Sequence, residues 1–94
     1  MFGSDCAAGM RLVRLNAQLG EYFGTDHGVL VADIEKDSPL GLKVGDVILA
    51  IGERRATTPE RVRRILASYG EDETIVFRIL RKHKEINVSG HLPD

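Results

Sequence analysis

The stretch Leu42-Lys43-Val44-Gly45-Asp46-Val47-Ile48-Leu49-Ala50-Ile51 constrains this chain more than any other. Gly45-Asp46 is turn chemistry, because glycine tolerates positive φ and aspartate can bond the backbone around it. Five apolar residues follow without a polar break, and Val47, Ile48 and Ile51 are β-branched. Such a run reads as a strand buried on both faces. A strand of that kind has to be central, so the rest of the domain must wrap around it. Gly52-Glu53-Arg54-Arg55 closes it as a polar turn. Upstream, Ser38 is placed to cap a short helix that starts at Pro39.

The remaining segments supply the wrapping. Ala8–Asn16 reads as an amphipathic edge strand, with Met10, Leu12 and Arg14 on one face and Arg11, Val13 and Leu15 on the other. Leu19, Tyr22 and Phe23 have helical spacing before a stop at Gly24, and their apolar side chains are expected in the core. Gly28–Ile34 is a second apolar strand, also expected to be buried on both faces. Thr58-Pro59-Glu60 is a helix start: a capping hydroxyl, a proline at the first position and an acid in the first turn. Val62, Ile65, Leu66 and Tyr69 then form an apolar stripe up to Gly70, with Arg61 and Arg64 opposite. Thr74–Arg81 and Glu85–Ser89 pair as a hairpin around the basic turn Arg81-Lys82-His83-Lys84. The tail from Gly90 carries no pattern and is expected to fray. Strands joined by turns, with helices inserted twice, argue an α+β domain with a mostly antiparallel sheet.

Ninety-four residues, 43% of them apolar, suit a single core. Thirteen basic and fourteen acidic residues give a net charge of −1, and no aromatic cluster offers a base-stacking surface. Nucleic acid is therefore not an expected partner. Cys6 is the single cysteine, which excludes an internal disulfide. Cys6 with His27, His83 and His91 shows no metal-ligand spacing, and no cofactor or metal is expected. Ser4, Ser38, Ser68 and Ser89 lie in no nucleophile-elbow sequence, and no glycine-rich phosphate loop occurs. Catalysis within this chain is not expected. Strand addition fits better: an edge strand offers unpaired N–H and C=O groups to an extended peptide.

The run Asp37-Ser38-Pro39 … Gly41-Leu42-Lys43-Val44-Gly45-Asp46-Val47-Ile48 resembles the centre of a PDZ domain, most closely the modules attached to bacterial HtrA-type serine proteases. It is compressed, with only Leu40 between Ser-Pro and Gly-Leu. The resemblance covers about Ala7 to Val88. It implies a partly open antiparallel β-barrel of five to six strands, capped by one main helix and one or two short helical turns. It places the domain at 7–89, with flexible termini at 1–6 and 90–94. It also implies the permuted bacterial form, with Met10–Leu15 as groove strand and Ile86–Val88 replacing the first strand of animal PDZ domains.

Function follows from the same resemblance. A peptide or free protein C-terminus would lie between the Met10–Leu15 strand and the 58–69 helix. Ala8-Gly9-Met10 loosely matches the carboxylate-binding loop, whose N–H groups form an anion nest. Met10, Arg11 and Leu12 from the strand, and Val62, Arg63, Leu66 and Ala67 from the helix, complete the expected peptide-binding set. A neighbouring protease domain and a periplasmic or envelope location are implied too. The alternative is an assembly module whose edge strand pairs with its own chain or a sister subunit.

Overall fold

The computed structural model describes residues 4–93. Along the chain run β1 (Ser4–Ala7), β2 (Met10–Arg14), α1 (Ala17–Phe23), β3 (Val29–Ile34), β4 (Val47–Ile51), β5 (Arg54–Arg55), α2 (Pro59–Ala67), β6 (Ile75–Arg81) and β7 (Lys84–Gly90). The main strands form one sheet in the order β1-β2-β3-β4-β6-β7, and β5 pairs with β4 off this path. Every pairing is antiparallel. This is the expected α+β architecture, with seven strands among the described residues where five or six are expected, the short β1 and β5 adding to five longer ones. Arg54 and Arg55 belong to β5 rather than to a turn, paired through the two-residue loop Gly52-Glu53.

β4 is central as its composition demands. It pairs with β3 at Val29↔Ile48 and with β6 at Ile48↔Ile79, and Val47, Ile48, Ala50 and Ile51 are buried. β3 departs from the expected burial on both faces. Val29 and Val31 are buried, whereas Leu30, Ala32 and Ile34 are only half-buried and Asp33 is exposed. α2 docks Val62, Ile65 and Leu66 as expected, with Thr58 Oγ1 accepting from the Arg61 N–H at 3.0 Å and Pro59 opening the helix, but it ends at Ala67, and Tyr69 beyond it is only half-buried. Burying three such side chains is worth about 5 kcal/mol in transfer free energy.

Three local expectations need correction. No helix forms after Ser38. The single residue Leu40 leaves no room for a helical turn before Gly41 enters the left-handed region at φ 83°, and Ser38 Oγ instead accepts from the Leu40 N–H at 3.3 Å. α1 forms with Asn16 as N-cap and Gly24 as left-handed C-cap. Its apolar side chains, however, are not core: Tyr22 is 77% exposed, and Leu19 and Phe23 are half-buried. Finally, regular structure passes both expected domain bounds. β1 begins at Ser4, and β7 continues through Gly90, beyond which the His91 N–H donates to Pro39 C=O at 3.0 Å and Leu92 packs on the core. Gly90 lies so close to this segment that a Cβ there would sit 2.1 Å from the Leu40 carbonyl oxygen. The expected flexible tips at 1–3 and 94 lie outside the described residues.

Candidate functional site

The region between β2 and α2 is built by a tight hairpin. Ala7 pairs with Met10, leaving Ala8-Gly9 as a two-residue loop with φ of 50° and 78°. Positive φ at both loop positions matches the twist of a type I′ connection, and Gly9 adopts it without a Cβ penalty. The loop folds β1 back along β2, with Ser4 opposite Val13 and Cys6 opposite Arg11. β1 also packs against α2, and so fills the lane between β2 and the helix. The expected open edge is therefore already occupied by an antiparallel strand of the same chain.

This hairpin divides the nine residues expected to bind peptide. Ala8, Arg63, Leu66 and Ala67 come together around a cavity of about 280 Å³ at the turn end of the lane. Ala7, Leu92 and Pro93 complete its lining. Gly9, Met10 and Arg11 border a different cleft of about 370 Å³ on the other side of β2, with Asp33, Ile34 and Glu35. Leu12 and Val62 border neither cavity, and both are fully buried. Met10 is 1% exposed. All three side chains belong to the buried core cluster.

Sequence reasoning missed three contributors. In the sequence Ala7 stands at the expected domain edge, and Leu92 and Pro93 in a patternless tail. Their signal was weak, because alanine and an isolated Leu-Pro carry no periodicity. Glu35 was also missed. Its N–H donates to the Gly9 carbonyl at 3.0 Å, and a Cβ on Gly9 would lie 2.9 Å from the Glu35 carboxyl carbon. A carboxylate thus stands beside the loop expected to receive one.

The best-organised polar contact lies elsewhere. Asp46, 2% exposed, accepts a two-pronged bond from Arg81, with Nε–Oδ1 at 2.9 Å and Nη2–Oδ2 at 2.7 Å. The Lys43 N–H donates to the same Oδ2 at 2.8 Å, and Arg81 Nη2 reaches the Gly41 carbonyl at 3.2 Å. The hydrogen bond to Asp46 raises the Arg81 guanidinium above its ordinary pKa. At the surface, hydrogen bonding to His27 holds the Asp26 carboxyl below the usual carboxylate range. No group of three or more metal-ligating side chains occurs among the described residues.

The PDZ domain family profile matches residues 8–92. The chain belongs to the PDZ family. PDZ domains are non-catalytic modules, so protease activity in HtrA relatives resides outside such a domain. Among curated relatives, a probable periplasmic serine endoprotease DegP-like of Halomonas elongata is 28% identical over 94 residues, covering 92% of this chain and 20% of the relative. Its counterpart in Rickettsia conorii is 29% identical over 85 residues, covering 85% and 17%. This PDZ chain therefore spans about a fifth of the length of the curated relatives it matches. Among solved structures, the HtrA-type protease AlgW with decapeptide superposes with a TM-score of 0.75 at 26% identity, covering 96% of this chain and 29% of that one. The HtrA3 PDZ domain bound to a phage-derived ligand, FGRWV, shares the fold with a TM-score of 0.75 at 14% identity, covering 100% and 88%.

Proposed function

We propose that this PDZ domain captures extended peptides, with free C-termini preferred, by strand addition on the outer edge of β2. It does so as a recognition or regulatory module of an HtrA-like periplasmic or envelope protease. The observation that carries the reading is β1 itself. An antiparallel strand is seated between β2 and α2, so the lane has the width and register that strand addition requires. The HtrA-type relatives solved with peptides support the same chemistry.

On this reading the ligand exchanges with β1. Withdrawal of Ser4–Ala7 frees the N–H and C=O row of β2 and opens the cavity lined by Ala8, Arg63, Leu66 and Ala67 to the last ligand side chain. The backbone around Gly9 and Met10 then receives the terminal carboxylate. The opposing reading, a module whose edge is permanently satisfied by its own strand, draws on the same pairing.

Amide chemical-shift mapping with a library of free-C-terminal peptides separates them. Exchange predicts shifts at Ala8–Leu15 and Val62–Ala67 that disappear when the peptide is amidated, with affinities on the order of micromolar. Absence of binding, even in a chain lacking residues 1–7, supports the assembly reading.

A further inference from the structure

A second surface, on the other side of β4 and independent of the groove reading, has the chemistry of a docking site. It is a cavity of about 440 Å³ formed by α1, the turn before β4 and the β6–β7 hairpin. Its lining combines exposed apolar groups with cations. Tyr22 is 77% exposed and Val44 61%, the two most exposed large hydrophobic side chains among the described residues. Around them stand the cations Lys43 and Lys82, and beside them the His83 ring. Asp46 is the sole acidic residue in the lining, and it is buried and bonded to Arg81. In a chain whose charges nearly balance overall, this rim is strongly one-signed.

The backbone holds it that way at a cost. Lys82 and His83 form the whole loop between Arg81 and Lys84, with φ of 53° and 68°. A two-residue loop of this kind favours Asn-Gly, whereas here a lysine and a histidine occupy the strained positions. His83 is also fixed against α1, with its Nε2 at 3.2 Å from the Tyr22 carbonyl oxygen. Tyr22 is braced edge-on by Phe23, their ring centroids 5.3 Å apart. The apolar and cationic halves are thus tied together by contacts.

We propose that this face docks an acidic peptide segment of a partner protein. Its apolar side chain would lie on Tyr22 and Val44, while its carboxylates would face Lys43 and Lys82. Charge complementarity selects the partner class, and the cavity is large enough for a side chain rather than an ion alone.

The test titrates an acetylated and amidated Glu-Phe-Glu-Leu-Glu-Asp peptide into the isotopically labelled full chain. The amide end keeps the probe from reading as a free C-terminus. Saturating shifts at Tyr22, Val44, Lys82 and His83 are expected. Val44→Asp or Lys82→Glu should weaken binding at least tenfold, while Ala67→Asp in the groove leaves it unchanged. Both surface variants should keep dispersed spectra, because the altered side chains are exposed. The proposal is overturned by shifts that do not saturate, by an equal response to a Lys-for-Glu peptide, or by shifts confined to β2 and α2. Response only to phosphatidylglycerol vesicles, or only to dilution of the chain itself, would likewise replace the peptide with a lipid surface or a second copy.

Discussion

Asp46 shows how a turn signal becomes a structural anchor. Gly45-Asp46 is legible as a turn, and the Asp46 carboxylate does bond the local Lys43 N–H. Its principal partner, Arg81, lies 35 residues away and is not legible, because no periodicity links a turn to the end of a distant strand. Removing the carboxylate by Asp46→Ala should cost about 2–3 kcal/mol, since Arg81 is then left partly buried without its anion. Urea unfolding monitored by circular dichroism measures this. Leu12 tests a different distinction. It was expected to line the groove but is fully buried, so Leu12→Ala should lower stability by about 3 kcal/mol in the same experiment, rather than altering peptide affinity alone. Glu35 tests the anion nest. On the proposed reading, its carboxylate beside Gly9 would repel a ligand carboxylate through well-screened surroundings. Glu35→Gln should therefore tighten a free-C-terminal peptide about twofold, roughly 0.4 kcal/mol, and leave its amidated form unaffected, as read by calorimetric titration.

At the scale of elements, legibility followed the strength of local signals. α2 was readable because cap, proline, apolar stripe and stop all agree, and β4 because five consecutive apolar residues admit few alternatives. The segment after Ser38 departs from its Ser-Pro helix signal because Gly41 truncates it before a helix can close its first bond. β1 was not legible at all. Ser4-Asp5-Cys6-Ala7 has no apolar alternation, and Ala8-Gly9 suits a hairpin as well as the expected ligand loop. The second hairpin offers a direct check on loop strain. Lys82→Asn places a residue that tolerates positive φ where lysine now sits, and should raise stability by about 0.5–1 kcal/mol in thermal unfolding. The same change should weaken the acidic peptide at the α1 face, since it removes a rim cation.

For the molecule as a whole, the permuted strand order governs what the groove can do. β7 closes the sheet beyond β6, and its end is held by the Pro39 carbonyl through His91, which leaves the outer side of β2 as the edge facing α2. That edge belongs to the N-terminal part of the chain, so the chain itself supplies the first competitor for it. Intramolecular pairing needs little intrinsic strength to compete, because a two-residue loop holds β1 at high effective concentration. The PDZ fold is legible in the Gly-Leu-x-x-Gly-Asp region and the α2 pattern. The occupied state is not, because it depends on four residues whose side chains signal nothing. The most direct measurement is the affinity of one free-C-terminal peptide for the full chain and for a chain lacking residues 1–7, by calorimetric titration. Exchange with β1 predicts at least threefold tighter binding to the shortened chain. Equal affinity, or binding lost on shortening, would contradict it.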